Sequence, residues 1–180
     1  MVNVILVDQN DNAIAIGEKL KVHNLGLLHR AFSVFVFDRN LLLLQQRAQS
    51  LYHSGGLWSN TCCSHPLPFE KTIDAGARRL KEEMGFSLEL QNVGKILYKH
   101  YCSNDMIEHE IDHVLVGDYN YQQIIVNEKE VMNYKWQTVD LIKQDLDEYP
   151  QRYTKWFSQA LDLVLKFKNM NKLNKIVLKV

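Results

Sequence analysis

Around Glu70 the apolar pattern of the chain changes to a helical period, and this switch constrains the fold more than any other feature. Ile73, Ala77, Leu80 and Met84 recur at spacings of four, three and four, one face of a helix, and Gly85 is placed to end it. On either side the chain reads as strands. Residues 2–7, 30–37, 41–47 and 58–65 come before the helix, with a turn-rich stretch at 8–12 and a hairpin turn at Asp38-Arg39-Asn40. Segments 87–90, 95–101, 107–116 and 131–137 follow, the middle pair joined through Ser103-Asn104-Asp105. Helices over 139–146 and 152–168, with a polar helical tail, finish the chain. A helix inserted among strands and helices appended to them predict an α/β (α+β) layered domain with a mixed sheet flanked by helices. With 180 residues, three prolines, eight glycines and no repeat or linker, a single domain over 1–180 is expected, its helical C-terminal segment covering about 139–180.

Charge removes several function classes. Lys+Arg and Asp+Glu are 21 each, so the basic excess of a general nucleic-acid binder is missing. The longest strictly apolar runs, such as Leu41-Leu42-Leu43-Leu44, fall far short of the ~20 residues that span a bilayer. No secretory signal is visible, and the three cysteines, two of them adjacent, do not suggest a disulfide framework. A cytoplasmic protein with no nucleic-acid or membrane partner is expected. The tail from Lys166 to Val180, with five lysines and no acid, reads as an amphipathic surface helix.

Three clusters carry chemistry. Cys63 and His65 are two apart in a strand pattern and share a face, as do Glu108, Glu110 and Asp112. Neighbouring carboxylates repel unless a cation lies between them or one keeps its proton. His23 and His29 precede the strand that begins near Arg30. Imidazoles together with carboxylates suit a first-row divalent ion such as Mn²⁺ or Zn²⁺ better than Ca²⁺. Each cluster also has a plain reading: packed histidines, a solvated glutamate face, a small buried thiol. The helix adds Arg79 and Glu83, four apart on one face. They make either a surface ion pair or an Arg for phosphate and a Glu for Mg²⁺.

The stretch Glu70-x7-Arg78-Arg79-Leu80-Lys81-Glu82-Glu83-Met84-Gly85-Phe86 resembles a Nudix box, here about 64–86, the loop–helix–loop signature of enzymes acting on diphosphates. It departs from the hydrolase form at two positions. Ser64 stands where the leading Gly is expected, and Arg79 replaces a metal-binding Glu that hydrolases use. Preceded by Asn60-Thr61-Cys62-Cys63-Ser64-His65-Pro66, the box resembles the type I isopentenyl-diphosphate Δ-isomerase branch, from about Lys19 to Trp156.

That resemblance implies a Nudix-type αβα fold and a set of roles. His23, His29, His65, Glu108 and Glu110 correspond to the ligands of one Mn²⁺ or Zn²⁺. Cys63 and Glu110 correspond to the proton-transferring pair, Tyr98 to the tyrosine beside them, and Trp156 to the aromatic that faces the substrate. Glu83 and the backbone carbonyl of Cys63 correspond to the holders of a Mg²⁺ that arrives with the diphosphate, and Lys19, Arg47 and Arg79 to its basic contacts. The implied substrate pair is isopentenyl diphosphate and dimethylallyl diphosphate, with the protein expected as a monomer. Trp156, Ala160, Val164 and Phe167 also form a helix stripe, so core packing competes for the Trp. One match fails. The family's Lys four residues after Arg47 is Leu51 here, and Ser54-Gly55-Gly56 replaces aromatic-Pro-Gly. One diphosphate contact and some loop rigidity are therefore expected to be missing, with His53 as a candidate substitute. A Nudix hydrolase of a nucleoside or prenyl diphosphate, or a non-catalytic Nudix binding protein, are the competing readings.

Overall fold

The computed structural model describes residues 2–102 and 106–177, with 172–177 as backbone only. The Ser103-Asn104-Asp105 turn and the side chains of the Lys-rich tail beyond Asn171 therefore lie outside the described residues. The strands are β1 (Asn3–Val7), β2 (Ala13–Glu18), β3 (His29–Asp38), β4 (Leu41–Arg47), β5 (Trp58–Ser59), β6 (Cys62–Ser64), β7 (Gln91–Tyr101), β8 (Ile107–Asp118) and β9 (Val131–Thr138). The helices are α1 (Lys19–Leu25), α2 (Thr72–Met84), α3 (Val139–Glu148) and α4 (Phe157–Val177), with one 3₁₀ turn at Pro150–Arg152. No helix of the described residues is long and apolar enough to cross a membrane.

The nine strands of the described residues join one mixed sheet, and β3 is its branch point. One edge of β3 runs parallel to β8, His29 opposite Glu110 through Phe37 opposite Asp118. Its other edge is shared by β1, β6 and β4 in turn. The sharing traces to Thr61. Its hydroxyl accepts from the Val36 amide (2.9 Å) and donates to the Leu43 carbonyl (2.6 Å), bridging β3 and β4 where their own ladder has opened. Asn60 bonds the carbonyls of Val34 and Cys62 from the same wedge. The stretch 58–65 is thus two short strands rather than one, with β5 pairing β4 and β6 pairing β3.

Strand alternation sorts the apolar residues onto two faces. One carries Phe32, Val34, Val36, Leu43 and Leu115 and packs on Ala75, Leu80 and Met84 of α2. The other carries Phe35, Phe37, Leu42, Leu44 and Val114 and packs on Phe157, Ala160, Leu161 and Val164 of α4 and Ile142 of α3. The helix–sheet–helix layering expected from the sequence is present. Helix α2 sits slightly rotated from the reading given by spacing. Ile73 is 37 % exposed, whereas Gly76 is buried. A Cβ at Gly76 would collide with the Leu115 side chain, so only Gly lets the helix press this closely on β8. Residues 87–90 form no strand; Leu88 and Leu90 pack irregularly under the α2 layer. Helix α4 begins at Phe157, five residues late, because the Pro150–Arg152 turn ends at Tyr153, which sits deep in the core. The sequence reading missed the edge strand β2 and the seven-residue α1, capped by the Glu18 carboxylate on the Leu20 and Lys21 amides.

Candidate active site and metal centre

The β3–β8 register fixes the centre. His29 stands beside Glu110, and Tyr98 of β7 stands across from Glu110 on its other side. Glu108 and Asp112 follow Glu110 on the same face by strand parity. The β6 pairing, with Cys63 opposite Ser33, carries His65 back toward His29. His23 comes from the last turn of α1. The six-residue spacing of His23 and His29 is therefore spanned by a helix end and a turn, and the two rings lie 4.6 Å apart.

His23, His29, His65, Glu108 and Glu110 converge, one donor atom from each lying within 4.8 Å of the others. Two of the imidazoles have defined tautomers. His23 Nδ1 donates to the Lys19 carbonyl (2.7 Å) and His29 Nδ1 to the Leu27 carbonyl (2.9 Å), leaving both Nε2 lone pairs turned inward when the rings are neutral. The inward atoms crowd: His29 Nε2 to His65 Nε2 is 3.1 Å, and Glu110 Oε1 lies 3.1 and 2.9 Å from them. His23 Nε2 is buried without a hydrogen-bond partner, 3.5 Å from Glu108 Oε1. Lone pairs aimed at lone pairs need a proton or a cation between them. Three nitrogens and two carboxylates fit a first-row divalent ion.

Burial and Glu110 push Glu108 upward, but the neighbouring His23 and His53 imidazoles leave it below the ordinary carboxylate range. Burial also opposes ionisation of Glu110, yet the donors His29 and Tyr98 beside it hold it far below that range. Tyr98 donates its hydroxyl to Glu110 Oε2. Burial keeps His65 neutral, its pKa pushed well down. Asp112 is the exception on this strand. Burial raises it well above the carboxylate range, and it accepts from Ser33 Oγ at 2.8 Å.

Beside this centre opens a cavity of about 360 Å³, lined among others by Lys19, Arg47, Cys63, Arg79, Glu110 and Trp156. Burial pushes the Cys63 thiol up to about 12, so it is protonated at neutral pH, with Arg47 Nη1 3.5 Å from its sulfur. Arg47 is itself buried and its Nε has no partner. Burial lowers the pKa of Lys19, whose ammonium lies 4.8 Å over the Tyr52 ring. Trp156 sits where core and cavity meet. It belongs to the α4 core and also lines the cavity, its ring 5.7 Å from the Arg47 guanidinium and near-parallel to Tyr98 at 6.4 Å. Asn60 holds it there, accepting from the indole N–H at 3.3 Å while bonding the Cys62 carbonyl. The Asn of the Asn-x-x-Cys motif thus ties the aromatic to the cysteine loop.

Arg79 and Glu83 form the ion pair that spacing allowed, Nη2 to Oε1 2.6 Å, and Arg79 also reaches Glu82 and Glu130. Glu83 is buried, and burial raises its pKa. Gln45 Nε2 reaches its second oxygen at 3.3 Å. Both Arg79 and Glu130 border the cavity. Leu51 lines it as well, so the position of the missing lysine does face the site. Sequence reasoning missed Tyr52, Gln45 and Glu130. The last two are brought in by the β4–β9 ladder, for which no local pattern exists.

Two expectations about the loop before β5 change. Ser54-Gly55-Gly56 is a closed turn, not a loosened one: Gly56 N bonds the Arg47 carbonyl and Arg47 N the Leu57 carbonyl. Gly56 has φ +78°, and a Cβ on Gly55 would lie 2.6 Å from the Gln49 carbonyl oxygen, so glycine at these positions closes the turn. His53 turns its imidazole to Glu108, Nε2 to Oε1 2.6 Å, rather than replacing the lost lysine charge.

A mixed sheet between helix layers, with a Glu-bearing helix over one face and a His/Glu cluster beside a basic cavity, is the architecture of a Nudix-type domain. The NUDIX domain family matches residues 27–157. The fold is shared with the DR0079 protein of Deinococcus radiodurans (TM-score 0.67, 12 % identity, 82 % of this chain and 90 % of that one). It is also shared with a MutT protein of Methanosarcina mazei (TM-score 0.60, 17 % identity, 81 % and 96 %). Isopentenyl-diphosphate Delta-isomerase 2 of Aromatoleum aromaticum is 43 % identical over 93 % of this chain and 89 % of its own length. The isopentenyl-diphosphate Delta-isomerase of Burkholderia multivorans is 49 % identical over 86 % and 88 %. The chain belongs to the isopentenyl-diphosphate Delta-isomerase family of Nudix proteins.

Proposed function

We propose that this protein interconverts isopentenyl diphosphate and dimethylallyl diphosphate, as its relatives are named for doing. The observation that carries the reading is one cavity beside the His/Glu donor set, lined by its His65, Glu108 and Glu110, by a protonated thiol and by an aromatic face, with Arg79 at the position the Nudix-box resemblance gives to a metal-binding Glu of hydrolases.

Moving this double bond adds a proton to the terminal methylene and removes one from the methylene adjoining the carbon that bears the diphosphate. The charge passes through a tertiary carbon. Such a step needs an acid, a base and the exclusion of water, which would trap the cation. Cys63 and Glu110 supply the two proton-transfer groups, one giving a proton to the terminal methylene and the other taking one from the methylene beside the diphosphate-bearing carbon. Tyr98 orients Glu110 through its hydroxyl. The Trp156 π face stabilises the positive carbon, a cation–π contact worth about 2 kcal/mol when desolvated. Arg47, Lys19 and Arg79 hold the diphosphate, and Arg47 brings a buried N–H with no competing partner.

His23, His29, His65, Glu108 and Glu110 would hold a Mn²⁺ or Zn²⁺, whose positive charge would offset both carboxylates. Glu83 and the Cys63 carbonyl would hold a Mg²⁺ that neutralises charge on the diphosphate. A cytoplasmic monomer acting on a small molecule completes the reading. The test is incubation with isopentenyl diphosphate and Mg²⁺, with products separated. An allylic diphosphate supports the isomerase, released phosphate the hydrolase, and unchanged substrate a binding protein.

A further inference from the structure

Of the buried histidines at the centre, His53 is the one outside the five-residue donor set, and it makes the shortest ion-pair contact to a member of that set, 2.6 Å from Glu108 Oε1. We infer that His53 is a positioning residue that holds Glu108 in the orientation the divalent ion requires. The inference rests on Glu108 being a metal ligand.

The chemistry of the contact assigns its direction. A carboxylate that binds a metal does so ionised and accepts only. His53 Nε2 must therefore carry the hydrogen, which leaves Nδ1 to accept from Ser54 Oγ at 3.1 Å. Ser54 takes a left-handed backbone (φ +53°), an unusual conformation for a residue with a side chain, and thereby caps the imidazole. The main chain of His53 is pinned as well, its carbonyl accepting from Arg47 Nη2 at 3.3 Å. A ring held at its backbone, at Nδ1 and at Nε2 has one orientation. It stacks at 6.0 Å on His23, whose Nε2 lies 3.5 Å from the same Glu108 oxygen.

A carboxylate on a strand keeps two rotatable side-chain bonds beyond χ1, and a donor on one oxygen removes that freedom before the ion arrives. Partners of this kind typically change metal affinity ten- to a hundredfold when lost. The loop from Ser50 to Gly56 therefore serves the metal centre through His53, while Leu51, its second residue, faces the substrate cavity.

The test measures the dissociation constant of Mn²⁺ for the metal-stripped protein, by electron paramagnetic resonance of the free ion. His53→Ala is expected to weaken binding ten- to a hundredfold with stoichiometry still one. His53→Gln, whose amide nitrogen reaches the place of Nε2, is expected to stay within about threefold of wild type. His53→Asn is too short to reach and is expected to behave like Ala, so the Gln–Asn pair decides the matter even if the Ala variant folds poorly. Unchanged affinity in His53→Ala and His53→Asn would overturn the inference. So would two equivalents of Mn²⁺ in wild type falling to one in the variants, because His53 would then be a ligand with Cys102 and Glu108, whose donor atoms also lie within 4.8 Å of one another. Isomerase activity is read separately. A wild type that binds Mn²⁺ but makes no allylic product contradicts the functional reading while leaving this inference standing.

Discussion

Replacing Arg79 with Ala tests how the Nudix helix is held together. Arg79 Nη2 and Nε lie 2.6 and 3.1 Å from Glu83 Oε1, and Glu83 is only 3 % exposed. Without Arg79 the buried carboxylate keeps Gln45 as a partner, at 3.3 Å to its other oxygen. Stranding one member of a buried pair typically costs 3–5 kcal/mol. Two features reduce that here: the Arg79 side chain is 19 % exposed, and Glu83 escapes part of the penalty by taking a proton. The expected loss is about 2–3 kcal/mol, or roughly 4–12 °C in Tm for a chain of this size. The control is Arg78→Ala. Arg78 pairs with Glu70 and Glu82 nearer solvent, and its loss should cost at most about 1 kcal/mol.

The pH dependence follows from the sign of the Glu83 shift. Its folded pKa lies above the unfolded 4.5, because burial outweighs Arg79, and removing Arg79 raises it further. The folded state then binds more protons than the unfolded one, so stability falls as pH rises above 4.5 through the folded value. The Arg79→Ala deficit should be smaller at pH 5 than at pH 8, measured by denaturant unfolding of the metal-free protein. An Arg79→Ala variant no less stable than Arg78→Ala, or a deficit equal at both pH values, would refute the reasoning.

Other outcomes are expected. His65→Ala and Glu108→Ala should lose the Mn²⁺ or Zn²⁺ and the activity together; elemental analysis showing stoichiometric metal in both would remove those residues from the site. Leu51→Lys should tighten isopentenyl diphosphate binding about tenfold, the effect of ~1.4 kcal/mol, with the gain shrinking at high salt. Equal affinity by calorimetry would mean that Arg47, Lys19 and Arg79 already saturate the diphosphate. Cys63, with its thiol pushed up to about 12, should react with iodoacetamide at pH 8 on the order of a thousandfold more slowly than an ordinary cysteine. Rapid labelling of Cys63, located by peptide mapping, would contradict the protonated thiol.

How much of this was legible in the sequence depended on whether a feature was local. The α2 helix and its end at Gly85, the β3–β4 hairpin, and the same-face pairs Cys63/His65 and Glu108/Glu110 are written in spacing, and the structure reproduces them. The motif residues needed long-range register to meet. Strand β8 lies parallel to β3, and nothing in either segment states that His29 will stand beside Glu110. Edge strand β2 escaped notice because its first four residues are all exposed, leaving no alternation of burial to detect. The division of 58–65 into two strands depends on where one hydroxyl, that of Thr61, lands between β3 and β4. Ile73 fitted the apolar period yet lies outward, because the close approach at Gly76 turns the helix. The direction of His53 follows from a closed turn held by Arg47 and two glycines, a tertiary outcome that the residue types alone do not specify.

The most direct measurement is proton NMR of the metal-loaded protein with isopentenyl diphosphate and Mg²⁺ in D₂O. If Cys63 and Glu110 add one proton and remove another, dimethylallyl diphosphate forms with solvent deuterium in its new methyl group, the diphosphate stays intact, and Cys63→Ala retains its metal but makes no product. Phosphate release, or an allylic product formed equally well by Cys63→Ala, would contradict the account.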